Sequence, residues 1–345
     1  MKLKTRKLRH PSGVVINTPI LIPSYSSKGF VLRRTNDGIK SEICDAIDIA
    51  KEILEETVLI SAFDLHHDYL LNPNDFISTQ LTFLDSGGYE TSSYFDFSET
   101  KRDNTNQTNN WDINLLETEI NKWNHERFPA VIVSFDDEKV RKPLEQQISE
   151  AASFFLGYKS FLHDFLIKPE TKDSSYINID SICENVDELK SFHIIGITEK
   201  ELGNSVLQRM QRINRLRNAL DVGGIEIPIH IFGSLDPITS ILYFLSGAEI
   251  FDGLTWLKYS YFDGLAIYSN NLPVLDGEIQ ITTTDKNVKA RSIHKNIYFL
   301  SKLKNVLINF VNSNEDYNVF NELGYSNIGC VIEKSMTIFK NQQRK

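Results

Sequence analysis

Short apolar runs recur along the chain, separated by longer amphipathic stretches. The runs Ile20–Ser24, Val58–Ala62, Leu81–Asp85, Val131–Phe135, Asp164–Lys168, His193–Ile197, Ile229–Gly233 and Ala248–Asp252 are a few residues long and mostly apolar. Such runs predict strands buried on both faces. Between them, Ile39–Glu56, Pro143–Tyr158 and Glu201–Leu220 carry apolar residues at helical spacing. Pro237–Gly247 reads as a shorter helix, with Asp236 placed to cap it and Pro237 suited to its first turn. Eight strands with crossovers predict an α/β fold, a (β/α)8 TIM barrel with insertions. A doubly wound open sheet is the competing arrangement. Residues 1–280 read as the catalytic barrel. Residues 281–345 read as a helical extension, with Ile293–Phe310 its clearest helix. The polar segment Lys101–Asn110 reads as an exposed loop, and Asn270–Gly277 as a turn-rich break.

Composition narrows the classes. A chain of 345 residues fits two ordinary domains or one barrel with insertions. With 41% hydrophobic and 24% charged residues it is not globally disordered. No apolar run reaches the ~18–20 residues that span a bilayer, and the basic N-terminus lacks the apolar stretch of a signal peptide. Cys44, Cys183 and Cys330 lie far apart, which argues against a disulfide framework or a cysteine-rich zinc site and fits the cytoplasm. A net charge of −9 excludes a uniformly basic coat. Two local segments are basic: Lys2, Lys4, Arg6, Lys7 and Arg9, then Lys286, Lys289, Arg291, Lys295, Lys302 and Lys304. Each reads either as a polyanion contact or as solvated surface.

Candidate chemistry sits where predicted strands end, the catalytic face of a barrel. One strand ends in Asp85, a second runs into Asp136-Asp137, and a third ends in Asp252. Singly, such acids are often helix caps or turn formers. Converging, they allow a divalent metal site, a general acid–base pair, or a carboxylate nucleophile beside a proton-handling carboxyl. Gly87-Gly88 after Asp85 lets backbone approach a ligand closely, and Tyr89 offers a ring face for a planar base; a plain tight turn reads the same way. His66-His67-Asp68 with Asp136-Asp137 is the metal alternative.

The segment Leu84-Asp85-Ser86-Gly87-Gly88-Tyr89-Glu90 resembles the LDSGG(F/Y)Q segment of tRNA-guanine transglycosylases. His193-Ile194-Ile195-Gly196-Ile197 with Glu201 resembles their I-G-G-L-x-x-G-E segment. His230-Ile231-Phe232-Gly233 with Pro237, then Gly247-Ala248-Glu249-Ile250-Phe251-Asp252, resembles H-L-x-G-x-G-x-P followed by G-x-D-x-F-D. Order and spacing match over roughly residues 12–300. The resemblance implies a (β/α)8 enzyme that exchanges guanine in nucleic acid for a 7-deazaguanine base, with no cofactor. Asp252 stands at the nucleophile and Asp85 at the general acid/base. Ser86, Gly87 and Gly88 stand at base contacts and Tyr89 at the stacking aromatic. Asp136 stands at the reader of the guanine edge. Gly196 and Ile197 stand at a backbone contact to the base, and Phe232 and Gly233 at the wall closing the sandwich.

The chain also departs from the family. The C-terminal cysteine zinc cluster is missing and only His294 echoes its histidine, so no structural zinc is expected. Lys168 replaces the Gln of V-Q-G, and Glu90 the final Gln of the DSGG segment. Glu138 stands where a Cys often follows the base-reading acid, and Leu254-Thr255-Trp256-Leu257-Lys258 replaces P-T-R. This pattern resembles a divergent branch acting on DNA, favoured here over tRNA. Lys258, Lys286, Lys289, Arg291 and Lys295, with the basic N-terminus, are the expected phosphate contacts. Trp256, Tyr259, Tyr261 and Phe262 read either as wedges beside an opened base or as core packing. A homodimer or a partner subunit stays open. The rival functions are an N-glycosidase or nucleoside hydrolase on the same scaffold, and a non-catalytic nucleic-acid-binding subunit.

Overall fold

In the computed structural model, eight parallel strands close a barrel: β1 (Ile20–Tyr25), β2 (Thr57–Ser61), β3 (Leu81–Asp85), β4 (Ala130–Val133), β5 (Leu162–Ile167), β6 (Ile194–Thr198), β7 (Ile229–Phe232) and β8 (Ile250–Gly253). Each pairs with its neighbours in chain order, and β8 closes on β1 with Asp252 opposite Ile22. The structure describes residues 3–35, 38–70, 79–92, 110–137, 139–277, 280–313, 315–325 and 327–343. The Asn-rich segment other than Asn110, with Glu138 and Lys2, lies outside them.

All eight predicted strands are barrel strands, and helices surround them. Side chains alternate across each strand. Ile20, Ile22, Leu59, Leu81, Phe83, Val131, Val133, Leu162, Ile194 and Ile250 fill the inside, while Leu21, Val58, Ile60, Leu84, Ile132 and Phe165 face the helical layer. That period carries Ser24, Asp85, Asp164, Gly196, His230 and Asp252 to the inside as well.

Two predicted helices start later than their apolar spacing suggests. Gly38–Ser41 pairs antiparallel with Leu32–Thr35, and the helix begins at Ile43. Glu199–Leu202 is a 3-10 turn that ends at Gly203 (φ 151°), and the helix proper is Val206–Val222 with Ser205 as its N-cap. The break turns Glu201 toward the barrel mouth. Asp236 caps helix Pro237–Ser246 by accepting from the Ile238 and Thr239 amides.

The C-terminal segment packs into the barrel's own helical layer. Helix Asp285–Asn312 lies against β1 and helix Ile43–Ala50, and its Ile293, Leu303, Leu307 and Phe310 join the same core. Helix Ile328–Gln342 packs on Pro237–Ser246.

The described part of the basic N-terminus sits at the opposite end of the barrel from the predicted site. Lys7–Arg9 and Val15–Asn17 form a hairpin whose Leu8 and Ile16 plug the N-terminal end of the barrel. Arg6 is buried there in ion pairs with Glu249, Asp221 and Glu226, and Lys4 pairs with Glu226. No described helix is long and apolar enough to cross a membrane.

Candidate active site

Asp85 ends β3 and Asp252 lies in β8, so both carboxyls reach the C-terminal mouth of the barrel, where they line one cavity of about 360 Å³. That volume falls within the range of small-ligand pockets, about 300–1,000 Å³. Ser86, Gly88, Tyr89, Asp136, Lys168, Phe232, Gly233 and Lys258 line the same cavity.

The two carboxyls sit in unlike surroundings. Asp85 is buried, and burial pushes its carboxyl up to about 8; the neighbouring acids Glu90, Asp252 and Asp136 add to the rise, against one donor, the Gly87 N–H at 3.2 Å. Both causes favour its protonated form. Asp252 instead sits among donors: the Ser24 hydroxyl donates to Oδ2 at 2.7 Å, the Gly233 N–H donates to Oδ1 at 3.0 Å, and His230 Nε2 lies 3.3 Å from Oδ1. Behind Asp85, burial raises Glu90 and Asp64, while hydroxyls of Ser26, Ser27 and Ser61 pull them partly back. Lys28 ties this corner together, donating to the carbonyls of Tyr89 at 2.8 Å and Ser92 at 2.9 Å with its ammonium 4.5 Å from the Tyr89 ring centroid.

The two glycines after Asp85 serve different ends. Gly87 adopts φ +85°, and a Cβ there would meet Phe63 and Trp111 at 2.7 Å, so it packs away from the cavity. Gly88 lines the cavity, and its Cβ position lies 3.0 Å from the Asp136 carbonyl. Trp111 donates to the Ser86 carbonyl at 2.8 Å. The buried Ser86 hydroxyl has no partner among the described residues.

Opposite this corner, charge is paired. Arg141 donates to Asp136 Oδ1 at 2.9 Å, and Lys168 lies 3.0 Å from Asp136 Oδ2. Lys168 also donates to Glu201 at 3.0 Å and Thr198 at 3.2 Å, so its three N–H groups all have acceptors. Burial alone would lower the Lys168 pKa, but Asp136 and Glu201 carry it above its ordinary value.

Besides Gly87, two more expected base contacts are not on the cavity. A Cβ on Gly196 would lie 2.5 Å from the Phe232 ring and 2.7 Å from Asp164 Oδ1, so Phe232 covers this glycine. The Ile197 side chain faces the helical layer, because alternation points it away from the barrel interior. His66 and His67 do not line the cavity either; His66 Nδ1 lies 2.8 Å from Glu119. Of the aromatic run after Asp252, Trp256 and Tyr261 are core: Trp256 donates to the Ser24 carbonyl at 3.1 Å and Tyr261 to the Leu235 carbonyl at 2.5 Å. Tyr259 lines the cavity.

Helix Asp285–Asn312 is bolted to this rim. Asn296 donates to the Trp256 and Tyr259 carbonyls at 2.6 and 2.7 Å, and accepts from the Tyr261 amide. Lys286 and Arg291 are exposed on its first turns, Lys289 is half-buried, and Lys295 pairs with Asp276. Arg141, Asp164 and Ser24, which also shape the site, carried no motif, and Glu201 was noted only as part of a resembling segment. Ser24 and Asp164 carry one signal, position: polar side chains at inward places in otherwise apolar runs.

No protein-family model matches the chain, and no curated protein matches it either.

Proposed function

We propose that the chain is a guanine transglycosylase acting on nucleic acid, with DNA favoured over tRNA. It exchanges guanine for a 7-deazaguanine base through a covalent Asp252–glycosyl intermediate. The observation that carries this reading is the pair of unequal carboxyls on one cavity: Asp85, buried beside other acids so that its protonated form is favoured, and Asp252, held among donors.

The chemistry follows from that inequality. An Asp252 oxygen forms a bond to the anomeric carbon as the bond to guanine N9 breaks. The electron pair leaves on the base, which takes the Asp85 proton. The incoming base then gives its N9 proton to the Asp85 carboxylate and attacks the same carbon, expelling Asp252. Two inversions give net retention. Tyr89 and Phe232 offer ring faces to a planar base. The Ser86 hydroxyl and the remaining lone pairs of Asp136 are the available partners for its polar edge. Reaching this carbon in a duplex requires extruding the nucleotide. The cysteine-free basic helix Asp285–Asn312, fixed beside Tyr259, supports a rebuilt polymer surface.

The test offers duplex DNA and tRNA side by side with labelled guanine, read by nucleoside mass spectrometry. Label is expected to enter DNA, and Asp252→Asn is expected to abolish covalent capture with an unchanged circular dichroism spectrum. Abasic sites without incorporation would mean a hydrolase. Tight binding with no base release would mean a non-catalytic subunit.

A further inference from the structure

Three inward side chains from three strands form a line beneath the cavity: Asp164 of β5, His230 of β7 and Asp252 of β8. His230 Nδ1 and Asp164 Oδ2 are 2.7 Å apart, and His230 Nε2 lies 3.3 Å from Asp252 Oδ1 without the geometry of a formed hydrogen bond. His230 and Asp164 are fully buried. Phe232 stacks on the imidazole with centroids 3.9 Å apart, and Phe83 meets it edge-on at 5.7 Å. Each ring nitrogen therefore faces a carboxylate oxygen. A neutral imidazole has one N–H and leaves one of those oxygens facing a lone pair; only the imidazolium serves both.

We propose that His230 is the positioning residue of the nucleophile: paired with Asp164, it faces Oδ1 of Asp252 and leaves Oδ2 as the attacking atom. This rests on the base-exchange reading of Asp252. Oδ1 is the loaded oxygen, facing both the Gly233 N–H and the imidazolium, whereas among the described residues Oδ2 accepts from Ser24 alone. Ser24 Oγ itself accepts from the Gly253 N–H at 3.0 Å, which leaves its proton for Asp252. Oδ2 then forms the bond to the anomeric carbon, and Oδ1 becomes the ester carbonyl. When the second base attacks, that bond breaks, the electron pair returns to Oδ2, and the imidazolium again faces a full carboxylate. Burial alone would lower the His230 pKa, but Asp164 and then Asp252 lift it to about 9. The titratable groups facing it are Asp164 and Asp252, and Asp85 lines the same cavity as Asp252.

The experiment follows single-turnover formation and breakdown of the covalent adduct between the full-length protein and guanine-containing duplex DNA or tRNA, from about pH 5 to about pH 10, the span covering the relevant titrations. His230→Gln is expected to slow capture by about 10²-fold, the scale of losing one aimed donor. It is expected to slow breakdown as well, to move the acid limb of capture upward, and to leave nucleic-acid affinity within threefold. Adduct kinetics equal to wild type at every pH overturn the proposal. Should His230→Gln not fold, ¹⁵N resonances of the wild-type ring decide: two protonated nitrogens at neutral pH, one of them lost in Asp164→Asn, support it, and a single protonated nitrogen overturns it. A wild-type protein that forms no adduct and exchanges no base with either polymer overturns the base-exchange reading itself, whatever protons the ring carries.

Discussion

A carboxyl that keeps its proton on folding works against the fold at neutral pH. Asp85 moves from an ordinary carboxylate value of ~3.9 to about 8. Between those values the folded state binds a proton that the unfolded chain has released, so stability falls as pH rises through the window. An amide at the same place has no such dependence and keeps an acceptor for the Gly87 N–H. Asp85→Asn is therefore expected to melt above wild type at pH 8, with the difference shrinking toward about pH 4. It is also expected to lose base exchange, the usual opposition between a strained site and stability. Melting temperatures across that range check this; variant and wild-type curves running parallel would remove the buried-acid account.

Strand β6 passes under Phe232 of β7, and only a glycine fits between them. Gly196→Ala places a Cβ 2.5 Å from the ring and 2.7 Å from Asp164 Oδ1. The expected cost is about 1–3 kcal/mol, the scale of overpacking, together with weaker base binding as Phe232 is lifted into the cavity. A base affinity equal to wild type would show that the ring gives way elsewhere. This strand also shows what the sequence could and could not reveal. Short apolar runs announced all eight barrel strands because a strand buried on both faces has no polar alternation to lose. Asp85 and Asp252 stood out because they end such runs. His230 drew notice only as the first residue of a resembling segment, and Asp164 only as the start of its run: a polar residue in a buried strand gains a structural role when registers across three strands line the side chains up. Gly196 drew notice through a resemblance, and packing supplies a different reason for it. Arg141 and Glu201 come from loops whose paths no periodicity encodes, since a 3-10 turn and Gly203 redirect the second of them.

The barrel divides its labour between its two ends. Strained acids and a cavity occupy the C-terminal mouth, and a closed ion cluster occupies the N-terminal floor, as barrels tend to separate function from stability. Glu249 is the centre of that floor. It pairs with Arg6, lies 3.5 Å from Arg217, and accepts the Ile229 N–H at 2.8 Å. Arg217 is 1% exposed, so its charge has little recourse to water. Glu249→Gln preserves volume but leaves Arg6 and Arg217 close together with Asp221 and the more exposed Glu226 as their remaining carboxylates. Breaking a buried pair from one side costs about 3–5 kcal/mol, which lowers the melting temperature by several degrees. The cavity sits at the other end of the strands, with its own donors for Asp252. Base exchange per folded molecule is therefore expected to match wild type at a temperature where the variant stays folded. Calorimetry and the exchange assay on the same preparation test both halves. A variant that loses exchange while fully folded would mean that the floor and the mouth are coupled through β8, and the division of labour would fall.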